Sequence, residues 1–408
     1  MPLDEALTRL LAHAQALGRT EEVDTFEADG RVLAEDVVSP LRVPPHDNSA
    51  MDGYAVRVAD VPQPGAELPV SQRIAAGHAG EPLAAGTAAR IFTGAPMPAG
   101  ADAVVMQEDT EALDGGARVR IQAVPTLGQW VRGAGEDVEL GAAVLRRGER
   151  LSPASVGLAA GVGKARLRVA SRPRVALFST GDELVMPGDV PPQDMKPGTI
   201  YNSNRFFMRA LLQRLGCDVT DLGIVPDDRA ATLAALQSAA EAHDLILTSG
   251  GVSVGEEDHL KPAVEQLGGL DLWQIAMKPG KPFAYGHVRR ASGAGTAHFA
   301  GLPGNPVSSF VTFLLLVRPF LLKLQGMTDV AMVSEAARAD FTVARADKRR
   351  EFLRVRRNGS GGLDLFGNQS SGVLTSTHWA DGLVDNPAGT TIAPGDTVRF
   401  ISIAELLA

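Results

Sequence analysis

Five short polar segments hold residue types that could do chemistry together: Gly181-Asp182-Glu183, Asp227-Asp228, Ser249 to Asp258, Lys278-Pro279-Gly280-Lys281 and Gly301 to Pro306. Ser249, Gly250 and Gly251, followed by Ser253 and Gly255, offer backbone N–H groups with few side chains in the way. Such a loop suits a phosphate or pyrophosphate, or else it is a tight turn with a helix cap. Lys278 and Lys281 flank the rigid Pro279-Gly280 pair. Their ammonium groups fit an oxyanion, or they are solvated surface lysines. Glu183, Asp227 and Asp258 stand near this basic cluster if the strands run as expected. Carboxylates around a phosphate site imply Mg²⁺, a hard cation that takes oxygen ligands. For Asp227 the other reading is the N-cap of the following helix. A second constellation runs from Pro44 to Ala55 and includes Asp52 before Gly53, with Thr93 at the end of a further strand. Asp52-Gly53 could equally build a turn.

Elements must bring these segments together. Apolar Val175 to Ser179, a strand near 219–225, Asp244 to Thr248, and strands near 272–277 and 297–300 alternate with helices over 204–215, 228–242 and 307–324. That alternation predicts a parallel sheet covered on both faces. In open α/β sheets ligands bind beyond the carboxyl ends of the strands, and the five polar segments fall at such ends. Leu3, Leu7, Leu10, Leu11, Ala14 and Leu17 predict an amphipathic opening helix. Residues 31–39 read as a strand, and 40–137 as short β runs at 88–93, 103–106 and 117–121 between Gly and Pro clusters. Ser152-Pro153 opens an alanine-rich helix. After about 329 the pattern turns to strands (340–345, 352–357, 363–366, 390–393 and 397–403), as in a small barrel or sandwich.

Composition bounds the function. The 408 residues carry 39 Lys plus Arg and 48 Asp plus Glu, a net charge of −9, which argues against a non-specific nucleic-acid binder. The single cysteine, Cys217, forms no disulfide within the chain and reads as a packed residue, and the reducing cytoplasm is the expected location. The opening residues show no apolar signal core, and Val311 to Leu324 is too short and too interrupted by Arg318-Pro319 to span a bilayer. No membrane partner is expected. His46, His259 and His378 lack metal-ligand spacing and read as structural.

The motifs resemble those of the molybdenum insertase family (molybdopterin molybdenumtransferase, bacterial MoeA and the C-terminal domain of gephyrin). The matching strings are Asp47 to Ala55, Phe92 to Pro96, Gly135-Glu136-Asp137, Ser179 to Leu184, Ser249 to Gly255, Met277 to Pro282 and Gly301 to Pro306, in family order over nearly the whole chain. The resemblance implies an α/β plus β multidomain fold in a homodimer. It comprises a linker domain (1–40 and 138–172), a β-rich lobe (41–137), a parallel-sheet molybdopterin-binding α/β domain (173–328) and a C-terminal β-barrel (329–408). It implies that adenylated molybdopterin and molybdate enter and that AMP and molybdenum cofactor leave, with Mg²⁺ as the cofactor.

Site residues follow from the same resemblance. Asp52, Thr93, Glu183, Asp227, Asp258, Lys278 and Lys281 would carry the reaction, with Glu183, Asp227 and Asp258 near the metal. Ser249, Gly250, Gly251, Ser253, Gly255, Pro279, Gly280, Pro303, Asn305, Arg350 and Ser371 would bind the substrates. Arg349 and Ser370 are close rivals of Arg350 and Ser371 at the molybdate position. The lobe of one subunit would face the α/β domain of its partner. The molybdopterin adenylyltransferase and apo-molybdoenzymes are the implied further partners. Two other functions remain open at this point: that adenylyltransferase itself, which usually carries a Gly-Gly-Thr-Gly loop where Gly250-Gly251-Val252-Ser253 stands here, and a gephyrin-like scaffold module.

Overall fold

The structure is a computed structural model and describes residues 1–251 and 259–407. Its centre is a six-stranded sheet in the order Asp218–Val225, Arg174–Thr180, Leu245–Ser249, Thr296–Leu302, Pro282–Arg289 and Gly268–Gln274. The first four strands are mutually parallel. Alternation explains why they are buried on both sides: Val175, Leu177, Leu245 and Leu247 enter one apolar cluster, and Ala176, Phe178 and Ile246 enter the other. Helix Ser203–Arg214 covers the first face through Met208, Leu211 and Leu212. Arg229–Ala242 and Leu260–Leu267 cover the second.

The sheet is mixed, not wholly parallel as the sequence pattern suggests. Pro282–Arg289 pairs antiparallel with both Thr296–Leu302 and Gly268–Gln274. The strand expected near 272–277 therefore ends at Gln274, and a strand absent from the sequence reading follows it. Pro282 at its start and Gly286 inside it obscure the pattern.

The helical stretch Pro306–Leu324 is 19 residues long and apolar enough to meet the length and composition of a membrane span, yet it is largely buried as the core helix of this domain. It widens over Phe313–Val317 just before Pro319, whose missing N–H and ring disturb the preceding turn. The opening helix Leu3–His13 buries Leu3, Ala6 and Leu10 in this same cluster. Lys323 Nζ donates to the Leu11 carbonyl and Leu17 N–H to the Leu324 carbonyl, each at 2.9 Å. The helix thus packs with the α/β core.

From Thr20 the chain leaves that core. Thr20–Asp24 pairs antiparallel with Arg166–Ala170, and Ala28, Leu33, Val37, Val138, Leu145, Leu151, Ala159 and Leu167 share a separate cluster. The expected strand at 31–39 shrinks to Val37–Val38 with single bridges at Val32 and Leu33. The lobe between these segments is a six-stranded sheet in the order Ala103–Met106, Gly53–Val56, Ala88–Ile91, Ala66–Ile74, Arg118–Ile121 and Thr110–Leu113. At the other end, Leu363–Leu365, Arg350–Arg357, Gly382–Asn386, Thr397–Ser402 and Glu335–Arg338 follow one another around a small barrel. A bridge from Ala339 to Leu363 closes it. Of the expected strands 340–345 and 390–393, only the Val343–Ile392 bridge forms.

One group in the α/β core titrates in an accessible range. The Tyr285 hydroxyl lies 2.9 Å from His298 Nδ1, and the His298 ring meets Phe320 edge-on with centroids 5.0 Å apart. Burial pushes the His298 pKa down from 6.5 to about 4. The folded value lies below the unfolded one, so the unfolded chain binds the proton more tightly. The contribution of neutral His298 is complete above about pH 6.5 and is lost as pH falls toward 4. Acid melts of the wild type and of a His298→Phe chain should diverge in this window, by on the order of 3 kcal/mol. Parallel curves would show that His298 does not drive the loss.

Candidate functional site

The carboxyl ends of the four parallel strands open into one cavity of about 740 Å³. That volume suits a small-molecule site. Thr180, Gly181 and Glu183 enter it after one strand, Asp227 after another, Ser249, Gly250 and Gly251 after the third, and Pro303, Gly304 and Asn305 after the fourth. Gly372 from the barrel completes the wall, held by the Ser371 carbonyl, which accepts the Val307 N–H at 3.0 Å. Two helices begin at the cavity. Ser203–Arg214 starts behind Asn202, whose side-chain oxygen caps the Arg205 N–H, and Pro306–Thr312 starts behind Asn305, which makes no side-chain cap. Helix N-termini favour negative charge. Asn202 is buried and lines the wall, and among the described residues its Nδ2 donor has no partner. A ligand acceptor oxygen would satisfy it.

The charged lining is acidic. Among the described residues Glu183 and Asp227 face the cavity, no Lys or Arg does, and neither carboxylate has a hydrogen-bond or ion-pair partner. The N-cap reading of Asp227 gives way to its neighbour: Asp228 Oδ1 accepts the Ala231 N–H at 2.9 Å and caps Arg229–Ala242. Asp227 is thereby left for the cavity. Among the described residues no group of three or more His, Cys, Asp or Glu gathers around a point. Asp258, Ser253 and Gly255 lie outside the described residues.

At the start of the Ser-Gly-Gly loop the described part is a tight turn. Gly250 and Gly251 have φ of +89° and +64°. A Cβ on Gly250 would sit 2.9 Å from the Thr180 carbonyl oxygen. The Gly250 N–H already donates to the Leu302 carbonyl at 3.1 Å, and the Ser249 hydroxyl to or from Ser179 Oγ at 3.2 Å.

The basic cluster is placed elsewhere. Lys278, Pro279, Gly280 and Lys281 do not line the cavity, although Pro282 does. Met277–Lys278 forms a short strand in the barrel sheet, opposite Arg350 and Glu351. Lys278 Nζ donates to Glu351 Oε1 at 2.9 Å and lies 3.5 Å from Asp347, and these carboxylates raise its pKa. Lys281 is exposed. Lys278→Met would leave Glu351, whose side chain is 7% exposed, without its cation. Half-exposure of the lysine screens the pair, so a thermal or denaturant melt should show a loss of about 1–2 kcal/mol. An unchanged melt would leave Lys278 with no structural part.

Arg350 turns away from the cavity. Its Nε and Nη2 grip Asp385 at 2.5 and 2.7 Å, and Nη1 reaches Asp4 at 2.9 Å. Its rival Arg349 is held by Asp347. The arginine that meets the Ser370–Gly372 segment is Arg354, which the sequence reading missed. It is 1% exposed, and its guanidinium touches Ser376 Oγ at 3.2 Å and the Ser370 carbonyl at 3.5 Å. Burial pushes its pKa down to about 10. Its signal in the sequence was an arginine within the apolar strand run Phe352 to Val355, on the Phe352 side and opposite the barrel-core residues Leu353 and Val355.

In the lobe, Asp52 Oδ1 accepts both the N–H and the hydroxyl of Thr93 at 2.8 Å. The Thr93 donors hold the Asp52 carboxyl below the usual carboxylate range. No lobe residue lines the large cavity. Cys217 is buried and its thiol is pushed up to about 12, consistent with a packed and unreactive residue.

Comparison with known proteins places this arrangement. Residues 1–163 match the MoeA N-terminal region (domain I and II), 176–323 the probable molybdopterin binding domain, and 336–403 the MoeA C-terminal region (domain IV). A molybdopterin molybdenumtransferase of Haemophilus influenzae is 43% identical over 327 residues, covering 80% of this chain and 78% of that protein. The chain belongs to the molybdopterin molybdenumtransferase family. Molybdopterin molybdenumtransferase 2 of Mycobacterium tuberculosis is 38% identical over 394 residues, covering 93% of this chain and 94% of its own. The crystal structure of the molybdopterin biosynthesis moeA protein from Pyrococcus horikoshii OT3 superposes with a TM-score of 0.84 at 29% identity, over 98% of this chain and 99% of that one. The α/β plus β multidomain architecture is thus the family's, lobe and barrel included.

Proposed function

We propose that this chain is a molybdenum insertase that takes adenylated molybdopterin and molybdate and releases AMP and molybdenum cofactor. The observation that carries the reading is the cavity at the strand carboxyl edge. It offers two helix N-termini and the Asn202 donor to an anion, and the carboxylates of Glu183 and Asp227 to a cation, none of these side-chain groups partnered among the described residues, within a chain of this family. An anionic phosphoanhydride beside Glu183 and Asp227 would be repelled unless a cation stood between them. Mg²⁺ usually takes one or two carboxylates plus substrate phosphates, so these residues fit it. Bound there, it would supply charge neutralisation on the phosphoryl oxygens. Glu183 and Asp227 would hold that cation, the helix N-termini face the phosphates, and the Gly250-Gly251 turn keeps the strand ends close. The match across the lobe and barrel as well as the α/β domain disfavours the adenylyltransferase reading.

We further infer a homodimer acting in the cytoplasm, with the Asp52–Thr93 pair of one subunit completing the cavity of the other. Among the described residues Asp52 keeps one carboxylate oxygen without a hydrogen-bond partner and yet lies outside its own chain's cavity. The decisive assay combines the protein with adenylated molybdopterin, molybdate and Mg²⁺ and follows AMP and cofactor together. Failure to release AMP under these conditions would overturn the reading.

A further inference from the structure

Arg90 is a residue of the lobe strand Ala88–Ile91. The pairing register sets it opposite Tyr54, so its side chain lies beside the Asp52–Gly53 turn. Its Nη1 donates to the Gly53 carbonyl at 3.0 Å and its Nη2 to Gln107 Oε1 at 2.7 Å. The Gln107 N–H in turn donates to the Asp52 carbonyl at 3.0 Å. The guanidinium carbon lies 5.1 Å from the Tyr54 ring centroid and 4.7 Å from that of Phe92, the residue before Thr93. Arg73 also lies over Phe92, at 4.5 Å. One cation thus contacts the residue after Asp52 directly, Asp52 itself through Gln107, and the neighbour of Thr93 through a ring face.

We propose that Arg90 is a positioning residue that fixes the Asp52–Thr93 pair for the insertion reaction, a proposal that rests on Asp52 serving that reaction. Asp52 Oδ1 is saturated by Thr93, which leaves Oδ2 for a substrate. The aim of Oδ2 depends on the backbone of residues 52 and 53, which Arg90 holds at Gly53 directly and at Asp52 through Gln107. A planar guanidinium donates in two directions while its faces rest on rings, whereas an ammonium is a single point charge. Displacement of a reacting group by about 1 Å can cost on the order of 10²-fold in rate.

The test compares Arg90→Lys, Gln107→Leu, Asp52→Asn and the double variant R90K/D52N, as full-length protein, by single-turnover AMP release and thermal melting. Arg90→Lys keeps the charge, so a purely electrostatic role predicts near-normal turnover. The positioning role predicts a loss in kcat of about tenfold or more, with KM for molybdate little changed. The acid limb of the rate profile should also move to higher pH, because loosened Thr93 donors no longer hold the Asp52 carboxyl down. Gln107→Leu, which cuts one arm only, should show a smaller loss of the same kind and serves if Arg90→Lys melts early. In the D52N background Arg90→Lys should change the rate by less than about twofold, since its route runs through Asp52. The same fold-loss with and without Asp52 overturns the proposal, as does wild-type kcat in both R90K and Q107L beside a crippled D52N. Wild-type turnover by D52N alone would instead overturn the Asp52 reading, and this proposal with it.

Discussion

Co-expressed Asp52→Asn and Asp227→Asn chains should recover about a quarter of wild-type activity, although each variant alone is nearly inactive. If a site joins the lobe of one subunit to the cavity of the other, a mixed dimer carries both lesions in one site and none in its second. Random assembly makes about half of all dimers mixed, and each has one intact site of two. The measurement is AMP release after co-expression with two different affinity tags and tandem purification, which isolates the mixed species. Tandem-purified protein should then reach about half of the wild-type rate. No recovery at any mixing ratio would mean that Asp52 and Asp227 serve a site within one chain.

Asp227→Asn or Glu183→Gln alone should lower AMP release by on the order of 10²-fold or more, since charge neutralisation on a phosphoryl group contributes several kcal/mol. The melting temperature should hardly move, because neither carboxylate has a partner among the described residues whose loss would cost stability. Raising the Mg²⁺ concentration should restore part of the loss in each single variant. A chelator should abolish wild-type turnover and cause no further loss where both carboxylates are neutralised. Full turnover in chelator would remove the cation from the reading.

The cavity was legible because a fold rule and local chemistry coincided. Each parallel strand ends in a polar segment, three of the four with glycine, and strand ends of one sheet must gather at one edge. What stayed open in the sequence were choices between nearby residues. Asp227 and Asp228 are both good caps by type, and only the backbone shows that Asp228 reaches the helix. Arg350 and Arg354 share a strand and a face, four residues apart, and only the packing shows that Arg354 meets the Ser370–Gly372 segment while Arg350 goes to Asp385. The Lys278–Lys281 turn looked like a basic cluster because its balancing carboxylates, Asp347 and Glu351, lie about seventy residues away in sequence and arrive through the barrel. The N-terminal helix showed its apolar stripe plainly, but an apolar stripe does not name its partner.

That partner has a consequence for the ribosome. The stripe Leu3, Ala6 and Leu10 packs with Phe320, Leu321 and Leu324, about three hundred residues downstream. At roughly 5–20 residues per second, the helix waits on the order of 15–60 s after its own synthesis before its seat exists. The linker cluster and the lobe need nothing from beyond residue 172 to close their apolar groups. They can therefore fold first, with an unseated greasy helix ahead of them. Nascent chains stalled near residue 180 should bind a holdase through Leu3, Ala6 and Leu10. Chains stalled well after residue 324, with that segment clear of the exit tunnel, should release it.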